Sequence, residues 1–236
     1  MGRAFECRRR AKETRWAAMS KLFPKLARSI TIAAKNGGPE VDSNAPLRVA
    51  IQNAKAANLP KDKIEAAISR ASGSDATDIT EVAYEAKGPH GSLFFVECAT
   101  DNTNRSVGNL KVILGKNGGD IAPSGSLIFM FERKAVIEFP VPEGKEMDEI
   151  ELELIDAGLE ELMVDEDTVT VIGDYTAFNT LTEAIEGMGI EIGTSGLERI
   201  PTQPIELNEA QLEEVQSLID KIEEDDDVQT LFTNLA

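Results

Sequence analysis

The sequence predicts a multidomain α+β chain: a helical N-terminal segment (1–76), then two α/β units, one (134–200) inserted into the other (77–133 and 201–236). Three observations predict it. The charge is partitioned, with 15 Lys+Arg against 7 Asp+Glu in residues 1–76 and 9 against 35 in residues 77–236, so a net charge of −18 divides into +8 and −26. The apolar period changes from helical to alternating across residues 72–80. Residues 134–199 then spell out a complete strand and helix series. At 236 residues, 42% hydrophobic and 28% charged, the chain suits two or three globular domains, and at 5% aromatic their cores must be mainly aliphatic.

Residues 1–16 carry Arg3, Arg8, Arg9, Arg10, Lys12 and Arg15, interleaved with Phe5 and Trp16. No apolar period ties them to a core, and they lack the apolar stretch of a signal peptide. They read as an arm that orders on a polyanion, with Trp16 and Arg15 able to stack; the alternative is a solubilising tail. Residues 20–35 read as a helix with Leu22, Leu26, Ile30 and Ala33 on one face and Pro24 in the first turn. At 100° per residue Lys21, Lys25, Arg28 and Lys35 fall within an arc of about 80° roughly opposite. A helix that buries one face and shows cations on the other, with no Asp or Glu between, suits a phosphate backbone; a solvated face is the alternative.

Asn36, Gly37, Gly38 and Pro39 stop that helix. The next spans about 44–57, with Asn44 as N-cap, Leu47, Ala50, Ile51 and Ala54 inward, and Arg48 and Lys55 on another face. After Asn58, Leu59 and Pro60 a third helix turns Ile64, Ala67, Ile68 and Ala71 inward and ends near Ser72 and Gly73. The turn between them resembles a helix-turn-helix, but Asp62 and Glu65 sit among the cations of the third helix, and few residues there suit base edges. Contacts to a nucleic-acid backbone are expected instead.

In the acidic remainder, strands are expected at 82–87, 92–99 and 126–133, with a helix at about 105–116. Residues 134–199 read as strand 135–139, helix 146–157, strands 159–164 and 168–173, helix 176–188 and strand 190–199, the βαββαβ order of ferredoxin-like folds. A helix at 208–223 and a strand near 228–234 return to complete the first unit.

Little here is catalytic. His90, the single histidine, stands between Pro89 and Gly91 as a turn residue. Cys7 and Cys98 are far apart and support neither a disulfide framework nor, with one histidine, a zinc site. Gly118 and Gly119 follow a helix, whereas phosphate loops precede one. Asp101, Asn102, Asn104 and Arg105 form the best small polar site: Asn102 or Asn104 caps the following helix, or the cluster is a ligand edge from which Arg105 meets a phosphate or a protein. The runs 165–167 and 223–227 read as solvated acidic turns.

Several segments together resemble one family: Arg9, Arg10, Lys12 and Trp16; FPKLARSITIAAKNGG; NAPLRVAIQNAKAANLPKDKIEAAI; Tyr84 to Gly91; ECATDNTNRSV; SGSLIFMFER; and DDVQTLFTNL. In that order they resemble the YebC/PmpR family, which includes the mitochondrial translational activator of cytochrome c oxidase, over nearly the whole chain. The resemblance implies a helical domain followed by two α/β domains, and a role in gene expression, either as a DNA-binding transcriptional regulator or as a translation factor at the ribosome. The chain departs from the family at its start, where a histidine common in members is missing and Pro24 replaces a residue that is usually polar.

The expectation is therefore a non-enzymatic, cytoplasmic, nucleic-acid-binding regulator, with duplex DNA or ribosomal or transfer RNA as partner and no cofactor, metal, membrane or small-molecule substrate. Arg3, Arg8, Arg9, Arg10, Lys12, Arg15, Lys21, Lys25, Arg28, Lys35, Arg48 and Lys55 are the expected backbone contacts, with Trp16 as a stacking group. A protein-interaction adaptor is the rival of another class.

Overall fold

The computed structural model describes residues 19–71 and 79–236. In chain order its elements are α1 (Met19–Gly37), α2 (Ala45–Ala56), α3 (Lys61–Ala71), β1 (Thr80–Lys87), β2 (Leu93–Thr100), α4 (Thr103–Lys116), β3 (Asp120–Ile121), β4 (Phe131–Pro140), α5 (Met147–Asp156), β5 (Leu159–Asp165), β6 (Thr168–Asp174), α6 (Phe178–Gly187), β7 (Thr194–Pro201), α7 (Glu209–Glu223) and β8 (Val228–Thr233). The two antiparallel four-stranded sheets and seven α-helices among the described residues make the fold α+β. The described residues form two compact units: residues 19–28 with 79–132 and 199–236, and residues 29–71 with 133–198. Helix α1 thus divides between them after Arg28.

In the first unit the sheet runs β3-β1-β2-β8. β1 and β2 pair along their whole length, from Thr80 opposite Thr100 to Lys87 opposite Leu93. Phe94, Val96 and Cys98 pack on one face with Leu110 and Leu114 of α4 and with Val215, Leu218, Ile219 and Ile222 of α7. The other face holds Phe95, Phe131 and Phe232; the Phe95 and Phe131 rings meet edge-on at 6.1 Å. The Arg199 guanidinium lies 3.7 Å from the Phe95 ring centre, and its Nε donates to Glu97 Oε1 at 3.3 Å. Because both faces are covered, β2 reads as an almost unbroken apolar run rather than an alternation.

The expected strand at 126–133 is not formed. Residues 128–130 make a 3₁₀ turn, and the strand starting at Phe131 runs through to Pro140, joining two segments read separately in the sequence. The cause is Glu85. Its buried carboxylate accepts the backbone N–H groups of Gly125 and Leu127, while Met130 N donates to Leu127 O at 2.9 Å. Those amides are lost to any strand ladder. The two-residue strand β3, pairing Ala86 with Ile121 and Lys87 with Asp120, was too short to show in the apolar pattern.

In the second unit the sheet order β5-β6-β4-β7 is that of a ferredoxin-like βαββαβ unit. Ile137, Phe139, Val169 and Val171 pack with Ile150 and Leu154 of α5 and Leu181 and Ile185 of α6. Its helical part buries Ile30, Ile32, Ala34, Leu47, Ile51, Ala54, Leu59, Ile64 and Ala67. Ala33, Ala50, Ile68 and Ala71, expected inward, are half-buried. Asn44 organises the turn after α1: Oδ1 accepts Leu47 N at 3.1 Å as N-cap, and Nδ2 donates to Ala33 O at 2.8 Å and Gly38 O at 2.7 Å. A Cβ on Gly37 would come within 2.6 Å of that amide, so this position takes glycine. Asn53 makes a paired bond to Ser195, Nδ2 to its carbonyl at 2.7 Å and Oδ1 from its N–H at 2.9 Å, tying α2 to β7.

Pro24 does not lie in a first turn. Helix α1 is already formed at Met19 and passes through the proline, which forgoes one N–H of the ladder without ending the helix.

Candidate nucleic-acid interface and polar cleft

Within the first unit, β2 ends at Thr100 and α4 begins at Thr103, and between them the chain turns around Asn102. Its Oδ1 accepts Arg105 N at 3.1 Å, which makes Asn102, rather than Asn104, the N-cap. The cap places Arg105 and Ser106 in the first turn of α4, facing the loop that follows α7. Arg28, Ile79, Ala99, Asp101, Arg105, Asn109 and residues 224–227 line a cleft of about 610 Å³ there.

Asp227 is its centre. The carboxylate side chain is 6% exposed, although residues 223–227 read as solvated in the sequence. Arg105 Nη2 is 2.9 Å from both of its oxygens, and Thr100 Oγ1 and Ser106 Oγ lie 3.0 and 2.7 Å from Oδ2. Arg105 Nη2 also reaches Asp101 Oδ1 at 2.7 Å. Burial pushes the Asp227 carboxyl up, but the hydrogen bonds from Ser106, Arg105 and Thr100, with the Arg105 charge, outweigh it and leave the group below the ordinary carboxylate value. The bonds to Asp227 and then Asp101 in turn raise Arg105. Asp225 shapes the loop, accepting Asn109 Nδ2 at 2.8 Å and the Asp227 N–H at 2.9 Å.

Two of the predicted backbone contacts meet this loop. Arg28 Nη1 donates to Ala99 O at 2.7 Å and Asp226 O at 2.8 Å and stands 3.5 Å from Asp227 Oδ1; Lys25 Nζ donates to Glu223 O at 3.0 Å. Lys35, Arg48 and Lys55 are exposed in the second unit, where Arg48 Nη2 donates to Asp42 O at 3.1 Å. Lys21 lies on α1. Arg3, Arg8, Arg9, Arg10, Lys12, Arg15 and Trp16 fall outside the described residues. Thus Arg28 comes together with Arg105 and Asp101, which the sequence placed in a separate polar site, Lys25 meets the start of the same loop at Glu223, and Asn104 stands exposed. Sequence reasoning missed Asp227, Thr100 and Ser106. The one signal is that Asp227 directly precedes the apolar strand β8.

Among the described residues no three His, Cys, Asp or Glu side chains are grouped to hold a metal ion. His90 Nε2 is 2.7 Å from Glu214 Oε2, and His90 itself adopts φ 58°, a turn geometry. Cys98 is buried, its thiol pushed up to about 12 by burial and by Asp225 and Asp227. Among the described residues no helix is long and apolar enough to cross a membrane.

Comparisons with known proteins cover the chain twice over. Residues 3–74 match the family described as TACO1/YebC protein N-terminal domain, and residues 79–235 match TACO1/YebC second and third domain. A protein of Wolinella succinogenes named as a probable transcriptional regulatory protein is 57% identical, with all of both chains covered. Proteins of the same name from Campylobacter curvus and Campylobacter jejuni are 55% and 54% identical, again over the full length of both. The crystal structure of a conserved hypothetical protein, Aq1575, from Aquifex aeolicus superposes with a TM-score of 0.81 at 32% identity, covering 92% of this chain and 90% of that one.

Proposed function

This chain belongs to the TACO1/YebC family, and from that premise we propose that it is a non-enzymatic regulator of gene expression that holds nucleic acid through its N-terminal basic segment. The observation that carries this reading is the division of charge, +8 in residues 1–76 against −26 in the remainder. A polyanion is attracted by the one and repelled by the other, so the basic segment faces the target. The arm residues Arg3, Arg8, Arg9, Arg10, Lys12 and Arg15 and the exposed Lys35, Arg48 and Lys55 supply phosphate contacts, with Trp16 available to stack. The relatives' names support regulation rather than catalysis, and the site of action is the cytoplasm.

Structured RNA or the ribosome is favoured over a DNA operator by one observation. On α3, Lys61 is paired with Glu65 at 3.6 Å and Asp62 stands in the first turn, so the second helix of the helix-turn-helix-like pair is poorly equipped for a major groove.

Co-sedimentation with ribosomes, alongside binding to a promoter duplex and to random DNA, tests the reading. Arg8, Arg9, Arg10, Lys35, Arg48 and Lys55 are changed to Gln, and Lys25 and Arg28 are left in place for their internal bonds. Ribosome binding by the native chain that falls steeply with salt, by a log–log slope of about 0.7–0.9 per phosphate contact, and that the variant lacks, is the expected result. Binding of the promoter duplex alone would move the target to DNA. Failure to bind any of them overturns the reading in favour of a protein adaptor.

A further inference from the structure

Lys25 and Arg28, two cations of the α1 face that its sequence marks for phosphates, already rest on oxygens of their own unit. Lys25 takes the carbonyl of Glu223, the last residue of α7; Arg28 takes those of Asp226 and Ala99 and stands against the Asp227 carboxylate. The Glu223 and Asp226 carbonyls lie at or just beyond the C-terminus of α7, where the helix dipole is negative. Glu224, Asp225 and Asp226 add three carboxylates within the same five residues. Closely spaced anionic oxygens are what a nucleic-acid backbone offers to Lys and Arg. The loop has supports besides the two cations: Asn109 and the Asp227 N–H hold Asp225, and Arg105, Ser106 and Thr100 hold Asp227.

We infer that residues 223–227 are an internal polyanion mimic, an autoinhibitory contact that occupies Lys25 and Arg28 until a nucleic acid displaces it. This rests on the nucleic-acid reading above. The contact sets a threshold. The acidic side chains repel a phosphate approaching within a Debye length of about 8 Å, and the two cations are released only to a ligand that engages the rest of the basic segment at the same time. Scattered anions cannot compete; a long, dense backbone can.

The test uses the full chain and two labelled probes, a structured RNA hairpin and a DNA duplex, titrated by fluorescence anisotropy at low and moderate salt. E224Q/D226N weakens the mimic. E151Q/E153Q, on α5, removes the same charge elsewhere and reports the effect of net charge alone. The loop variant is expected to bind about three- to tenfold tighter than the control variant at low salt, the gain shrinking as salt rises, and R28Q in the loop-variant background should abolish it. Hydrogen exchange supplies the second readout. Probe binding to the native chain should speed exchange of the Ala99, Asp227 and Val228 amides, which bond to this loop. Equal tightening by both double variants, or unchanged or slower exchange of those amides on binding, overturns the mimic while leaving the nucleic-acid reading intact. If no variant binds either probe, both fall together.

Discussion

Arg105 Nη2 lies 2.9 Å from each carboxylate oxygen of Asp227, and the pair joins the first turn of α4 to the loop after α7, elements 122 residues apart in sequence. One end of this pair is nearly dry and the other wet: the Asp227 side chain is 6% exposed and that of Arg105 46%. The arginine can recover water if the pair breaks; the carboxylate cannot. The consequences of disturbing the pair therefore fall on Asp227.

Asp227→Asn should cost about 2 kcal/mol of stability, because a buried acceptor of charged and hydroxyl donors loses its charge. Equilibrium urea unfolding measures it. The pH dependence has a definite sign. The folded-state carboxyl is below its ordinary value, so its contribution is complete above an unfolded-state value of about 4 and is lost as pH falls through the lower folded value. Native and variant chains should therefore differ most near neutrality and converge in acid. A gap that stays constant from pH 7 to below 4 would mean that the variant's loss does not come from the carboxylate charge.

Glu85→Gln keeps the size of the side chain but turns an amide N–H₂ toward one of two backbone donors. The Gly125 and Leu127 amides should exchange faster and the unit should lose about 2 kcal/mol. Hydrogen exchange resolved by residue is decisive, since a general destabilisation would not single out these two positions.

Asn44→Ala removes an N-cap, worth about 1 kcal/mol, and strands the Ala33 and Gly38 carbonyls, so a total near 2–3 kcal/mol is expected in thermal or urea unfolding. Gly37→Ala attacks the same contact from the other side. If the two losses share a cause, the double variant should lose less than the sum of the single ones.

Cys98 should be inert to thiol reagents in the native chain. With the thiol pushed up to about 12, roughly one molecule in ten thousand carries the thiolate at pH 8. In a Cys7→Ser background, labelling by a chromogenic disulfide should proceed only at the rate of unfolding and become rapid in denaturant. Fast native labelling would show that the β2 and α7 packing opens readily.

The helices and most strands were legible because their cores are aliphatic and strictly periodic: Leu47, Ile51 and Ala54 on α2, or Ile150 and Leu154 on α5, leave no other reading. What pattern could not show was set by single polar side chains acting at a distance. Glu85 reads as an ordinary residue of an alternating strand, yet it captures a turn 40 residues away and moves the start of β4. Asp227 reads as one more acid in a run, and only pairing with Arg105, 122 positions earlier, distinguishes it. At the site, the cationic arc of α1 was visible in its spacing. That two of its members would meet backbone carbonyls after α7 was not, since carbonyls leave no trace in sequence.

The place of β8 in the first sheet bears on how the chain is made. β8 occupies the edge beside β2, and the Leu93 N–H is taken by Asn234 Oδ1 at 2.7 Å, so this sheet is finished only once residue 234 has left the ribosome. Until then the nascent chain holds β1, β2 and α4 with one strand edge open and with Phe94 and Val96 lacking the cover of α7 and β8. The segments of the second unit all emerge earlier. A chain released before residue 228 would thus display a bare β2 edge, the feature that invites pairing between chains and draws in chaperones and proteases.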